Sequence, residues 1–295
     1  MASCQNRREC SQCWLEIQKL ERYKEDRQAG CLSHIKQDKT GRMPHQARQT
    51  GRMPIPQEYF QRGKSMGLFR RRKLPHIDVE GKPYFITACL DGSISAVGLE
   101  RIRNRRDELD AREKPADLSE EEWELTKHKL VFKFVDSLLD GEPEVRHFDN
   151  EKVAKVVVDG FFHFAGERYQ LLAFVVMPSH HHWLFLPDPE WCEQLAIRQQ
   201  KSLRKRTPRE VISHSIQSYT ATQCNGLLGL AGPFWQTETF DHYARDEAEA
   251  MKIIDYIENN PVVSGLVETP EAYRFSSACY RKQQGIPRGY PLPVR

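Results

Sequence analysis

The stretch YQLLAFVVMPSHHHWLFL, Tyr169 to Leu186, decides the fold. Two apolar runs of strand length, Tyr169 to Met177 and His180 to Leu186, are interrupted only by Pro178 and Ser179. That gap is too short for a crossover, so the runs predict neighbouring antiparallel strands. The second run carries three consecutive histidines. Residues i and i+2 of a strand share a face, which lets His180 and His182 converge on one ion while His181 points the other way. Neutral imidazole nitrogens are good ligands for Mn²⁺ or Zn²⁺ and weaker ones for Mg²⁺. Taken alone, such a pair is more often the mark of a solvated or hydrogen-bonded strand face.

Outward from this pair, Tyr84 to Leu90 reads as a strand between Gly81-Lys82-Pro83 and Asp91-Gly92. LSEEEWELTKHKLVFKFVDSLLDG, from Leu118, predicts a helix with Ser119 as N-cap, Glu122 at the capping-box position and Gly141 as its stop. A further helix is expected over Glu151 to Gly166. Glu190 to about Thr220 reads as mainly helical, ended by the glycine-rich Asn225 to Pro233, with an aromatic strand over Phe234 to Ala244. The last clear helix starts at Asp246, with Glu249 in the capping-box position, and should stop near Asn260 because Pro261 disfavours helical geometry before it. The proline-rich tail from Tyr280 is expected to be loop. Helices interleaved with closely joined strands point to an α+β sandwich with an antiparallel sheet.

Charge divides the chain unevenly. Residues 1–74 hold 17 Lys+Arg against 7 Asp+Glu, a net of +10, and the remainder holds 27 against 34. Apolar periodicity is sparse before Arg70 and the segment TGRMP occurs twice, at Thr40 and Thr50. We therefore expect a basic, mostly irregular extension over 1–74, a folded domain over 75–279 and a tail over 280–295. Basic arms suit nucleic acid because Lys and Arg displace counterions from phosphates, although the same composition fits a solvated tail. Arg70, Arg71, Arg72 and Lys73 are candidate phosphate contacts, as are Lys201, Arg204, Lys205 and Arg206 in the helical region. No apolar run reaches the roughly 20 residues a membrane span needs. With no apolar segment behind the first charges, the expectation is a cytoplasmic, nucleoid-associated protein with reduced cysteines. Cys10 and Cys13 (C-x-x-C) with Cys31 and His34 (C-x-x-H) form a zinc-like pattern that would suit a small structural knuckle over 10–34, or else remain unligated.

In RDEAEAMKIIDYIENNPVVSGL, Tyr256 and Asn260 are four residues apart and project from one helical face. A tyrosine hydroxyl is a poor nucleophile until activated, and an amide oxygen can complete a metal shell. Beside Ile253, Ile254 and Ile257, Tyr256 also reads as an ordinary packed tyrosine.

Four segments in order resemble the single-tyrosine HUH transposases, specifically the REP-associated tyrosine transposases. MPSHHHW resembles the family's Met-Pro-x-His-hydrophobic-His. FWQTETFDHYAR (Phe234 to Arg245) resembles Trp-Gln-x-x-x-(Tyr/Phe)-(Asp/Glu)-His. DYIENNPVVSGLV (Asp255 to Val267) resembles Tyr-Ile-x-x-Asn-Pro-Val-x-x-Gly, and YRFSSA (Tyr273 to Ala278) resembles Tyr-x-(Trp/Phe)-Ser-Ser. The resemblance spans about Pro83 to Ala278. It implies a ferredoxin-like HUH sandwich, with a central antiparallel sheet flanked by helices. It also implies a Mg²⁺ or Mn²⁺ ion on His180, His182 and Asn260, and Tyr256 as the nucleophile that cleaves and rejoins single-stranded or hairpin DNA through a 5′-phosphotyrosine. Two features depart from the pattern: His181 stands where the family has a hydrophobic residue, and Gly92 to Gln170 is long. Trp183, Trp235 and Phe240 are candidates for stacking bases or for core packing. The alternative is a domesticated, hairpin-specific DNA-binding protein without transposition activity. The chain would act as a monomer or a homodimer. A zinc hydrolase lacks a Glu base at zincin spacing.

Overall fold

The computed structural model describes residues 68–71 and 75–294, apart from 142, 204 and 238. Cys10, Cys13, Cys31, His34, Arg72, Lys73 and Arg204 lie outside the described residues, and with them the expected zinc knuckle. Among the described residues, no helix is long and apolar enough to cross a membrane.

The elements in chain order are β1 (Leu68–Arg71), β2 (Pro75–Asp78), β3 (Tyr84–Cys89), α1 (Ala96–Asp110), α2 (Glu120–Leu139), α3 (Glu151–His163), β4 (Tyr169–Val176), β5 (His180–Pro187), α4 (Pro189–Arg198), α5 (Pro208–Leu228), β6 (Phe240–Tyr243), α6 (Glu247–Val263) and α7 (Ser277–Gln284). Four strands form one sheet in the order β4-β5-β3-β6, with every neighbouring pair antiparallel. Strand β5 lies between β3 and β4, which therefore run parallel and are joined through α1, α2 and α3. Helices α4 and α5 likewise carry the chain from β5 to β6 across β3. This is an α+β, ferredoxin-like split βαβ arrangement with helices on both faces.

The two faces have separate cores. Trp183, Phe185, Phe174 and Ile86 pack against α3 and α5 through Val157, Phe161, Ile212 and Ile216. The other face sets Phe85, Leu172, Val175 and Leu184 against Ile254 and Ile257 of α6. A bulge in β4 between Leu171 and Ala173 puts Leu172 and Ala173 on this second face together, since the extra residue interrupts the alternation. Trp183 is 1% and Trp235 9% exposed, so both belong to the core and neither offers a stacking platform.

Helix α2 has the expected capping box of Ser119 and Glu122. Several other expectations are corrected. Helix α5 runs through Gly226 to Leu228 and stops at Gly229, whose left-handed φ of 65° the missing Cβ permits. The aromatic strand narrows to Phe240–Tyr243, with Trp235 reduced to a single bridge to Leu90. Helix α6 continues through Pro261 to Val263. Proline removes the bond its own N–H would have made and crowds the Ile257 carbonyl, yet the helix closes beyond it, with Ser264 N donating to Asn260 O at 3.0 Å. Leu68–Arg71 and Pro75–Asp78 pair as antiparallel strands, and the rest of the stretch expected to be mostly irregular, residues 1–67 and 72–74, lies outside the described residues. The tail is not plain loop: α7 spans Tyr280, and Leu292 is buried with its N–H donating to Leu171 O at 2.8 Å along the β4 edge. Covering that edge satisfies polar groups an open strand would expose.

Candidate metal centre

His180 and His182 project from β5 onto the α6 face of the sheet, with ring centroids 4.8 Å apart. They are 1% and 0% exposed. His181 points to the opposite face, packed edge-on against Phe161 and Trp235. Burial drives the pKa of His181 well below the ordinary histidine value and that of His180 down to about 3. The His180 ring is therefore neutral at physiological pH, as a metal ligand must be.

Each ring of the pair is held from behind by a hydroxyl. Thr87 Oγ1, directly across on β3, lies 2.7 Å from His182 Nδ1, and Ser179 Oγ lies 3.1 Å from His180 Nδ1. With Nδ1–H donated to the hydroxyl, Nε2 of each ring carries the free lone pair.

What those lone pairs face was not predicted. Asp136, from α2, brings Oδ1 to 3.3 Å from His182 Nε2, and the donor atoms of Asp136, His180 and His182 all lie within 4.8 Å of one another. Asp136 is buried. Burial pulls its carboxyl upward, whereas the hydrogen bond donated by the Tyr256 hydroxyl pulls it downward. Asp136 lies on the inward side of α2, where Trp123, His128, Val131 and Leu139 are also buried. An aspartate on the inward stripe of an amphipathic helix needs a partner.

Helix α6 supplies the remaining groups. Asn260 Nδ2 lies 3.4 Å from His182 Nε2, and a half-turn of the amide brings Oδ1 to the same place. Tyr256, one helical turn earlier and half-buried, donates its hydroxyl to Asp136 Oδ2. Burial, then the Asp136 charge, raises the phenol pKa well above its ordinary value. Phe85 and Phe132 meet the Tyr256 ring edge-on, while Phe240 stacks on Phe132 at 4.0 Å and on His128 at 4.5 Å.

Three atoms here accept or donate no hydrogen bond: His180 Nε2, Asp136 Oδ1 and Asn260 Oδ1. Buried acceptors left unpaired are costly. Lone pairs on Asp136 and His182 facing one another at 3.3 Å repel unless a cation or proton lies between them. Two imidazole nitrogens and a carboxylate, from His180, His182 and Asp136, fit one divalent ion.

The structure brings His180, His182, Tyr256 and Asn260 together. Lys201, Lys205 and Arg206 are instead exposed in the connection from α4 to α5. Arg70 and Arg71 fall in β1.

No family model matches the chain, and no curated protein matches it. Among solved structures it is similar to one described as the structure of the REP-associated tyrosine transposase bound to a REP hairpin. The identity is 16% and the TM-score 0.38, over 78% of this chain and 94% of that one. A likeness at that level says nothing of activity.

Proposed function

We propose that this protein is a metal-dependent tyrosine nuclease and strand transferase that cleaves and rejoins single-stranded DNA near hairpins. The observation that carries the reading is the bond from the Tyr256 hydroxyl to Asp136, the same carboxylate that faces His180 and His182. A nucleophile side chain and a metal-ligand set thus share one residue. The four ordered motifs add the substrate class, because they resemble those of transposases acting on such DNA.

Tyr256 is the nucleophile. Its oxygen forms a bond to phosphorus as the phenolic proton passes to the Asp136 carboxylate that accepts its hydrogen bond, and the bond to the departing 3′-oxygen breaks as that oxygen takes up a proton from solvent, giving a 5′-phosphotyrosine and a free 3′-hydroxyl. A second 3′-hydroxyl then attacks the same phosphorus and releases the tyrosine, so cleavage and joining are one exchange without loss of bond energy. Asp136 orients the phenol. Thr87 and Ser179 fix the imidazoles, and Asn260 completes the donor set. A divalent ion bound there would withdraw charge from a non-bridging phosphate oxygen and align the scissile bond. Arg70 to Lys73 and Lys201 to Arg206 are assigned to sequence-independent phosphate contacts.

The test is incubation of the full chain with labelled single-stranded hairpin DNA and Mn²⁺. Wild type should give an adduct that survives denaturation, and Tyr256→Phe should bind DNA without one. Binding without adduct by the wild type would overturn the nuclease in favour of a DNA-binding protein.

A further inference from the structure

Glu258 lies on α6 midway between Tyr256 and Asn260. Two residues turn a helix by about 200°, so Glu258 points away from the candidate metal centre. It is 1% exposed, yet its carboxylate is fully engaged. Oε1 accepts from Ser277 Oγ at 2.8 Å and from Arg281 Nε at 2.8 Å, and Oε2 accepts from Arg288 Nε at 2.9 Å. Arg281 is 4% exposed. It reaches further, donating Nη1 to Pro287 O at 3.1 Å and Tyr290 O at 2.7 Å, and Nη2 to Leu172 O.

The last of these bonds ties the pair to the sheet. Leu172 is the extra residue of the β4 bulge, whose backbone is left without a ladder partner. Arg281 satisfies that carbonyl, and β4 is the neighbour of β5, which carries His180 and His182. A second observation concerns α6. Pro261 removes the N–H that would have bonded Ile257 O, so the turn bearing Asn260 lacks one internal bond and is a point where helices bend. Glu258 clamps this same turn.

Stability alone is a weak reason for the arrangement, since buried ion pairs are often matched by apolar residues of similar volume. We propose that Glu258 and Arg281 are positioning residues that fix the roll of α6 against the sheet, and so set Tyr256 and Asn260 relative to His180 and His182. The inference rests on reading that cluster as a metal-dependent tyrosine site.

The test uses the full chain and the isosteric variant Glu258→Gln. If that variant does not fold, the double variant Glu258→Met/Arg281→Met makes the same comparison, with an apolar pair in place of the ionic one. Two measurements need no DNA: the affinity for Mn²⁺ alone, by electron paramagnetic resonance, and the fluorine resonance of Tyr256 in fluorotyrosine-labelled protein, assigned with Tyr256→Phe. Melting curves confirm that each variant is folded at the assay temperature. The expected result is a loss of Mn²⁺ affinity of about 10-fold, the lower end of what removing a group bonded to a ligand costs, together with a shifted Tyr256 resonance. Folded variants with wild-type Mn²⁺ affinity and an unmoved resonance would overturn the inference and leave the pair as a structural staple. If wild type itself binds no Mn²⁺, the metal reading fails, and the fluorine resonance still decides whether Glu258 positions Tyr256.

Discussion

Asp136 is the residue on which the chemistry turns, because it touches both the histidine pair and the Tyr256 hydroxyl. We predict that Asp136→Ala lowers Mn²⁺ affinity as His180→Ala and His182→Ala do, each by more than the roughly 10- to 100-fold that loss of a group bonded to a ligand costs. His181→Ala should leave the affinity near wild type, since its ring packs on Phe161 and Trp235 across the sheet. Titration of Mn²⁺ into the four folded variants checks this, and a His181→Ala loss equal to that of His182→Ala would refute the assignment by face. The alternation of the three histidines was legible in the sequence because it follows from the two-residue repeat of a strand. Asp136 was not. It lies 120 positions from Tyr256, and no local spacing encodes a contact between elements that distant.

At the scale of elements, α2 stands over α6 through polar contacts along its length. Lys129 meets Glu249 at 3.0 Å, Asp136 meets Tyr256, and Asp140 accepts from Ser264 Oγ at 2.8 Å. Glu249 also caps the start of α6, accepting from Arg245 N and pairing with the Arg245 and His242 side chains. Burial pushes its carboxyl upward, but the bonds from His242, Arg245 and Lys129 outweigh this and leave it far below the ordinary glutamate value. A carboxylate depressed in the folded state contributes stability present above its unfolded pKa, near 4.3, and lost as pH falls below that. Glu249→Gln should therefore lower the melting temperature at neutral pH and flatten its decline between about pH 5 and pH 3. Parallel melting curves that keep the wild-type slope would contradict this. The elements legible in sequence were those with caps or strong periodicity, such as α2 and the β4–β5 hairpin. Helix α1 escaped because only Gly98, Ile102 and Leu109 are buried among its 15 residues, too few to mark a face. The end of α6 was misplaced because the effect of proline on the preceding residue is a bias that tertiary contacts overcame at Asn260.

For the whole molecule, charge and chemistry are separated along the chain. The first 74 residues carry the positive excess, while Asp136, His180, His182, Tyr256 and Asn260 lie on α2, β5 and α6. Deleting residues 1–69 and neutralising Arg70 to Lys73 should weaken DNA binding mainly by reducing the dependence of log affinity on log salt, because each phosphate contact contributes about 0.9 to that slope on duplex DNA and about 0.7 on single strands. An unchanged slope, measured over several salt concentrations, would show that the arm does not reach phosphates. The central claim, that Tyr256 attacks DNA, is tested most directly by locating the bond. Trypsin cutting after Lys252 and Arg274 releases one segment with two tyrosines, Tyr256 and Tyr273, of which Tyr273 is occupied donating its hydroxyl to Val176 O at 2.8 Å. After reaction of wild type with single-stranded hairpin DNA and Mn²⁺, fragmentation mass spectrometry of this segment should place the nucleotide on Tyr256. A nucleotide on Tyr273 or on any other side chain, or an unmodified segment from protein that has cleaved its DNA, would contradict the account.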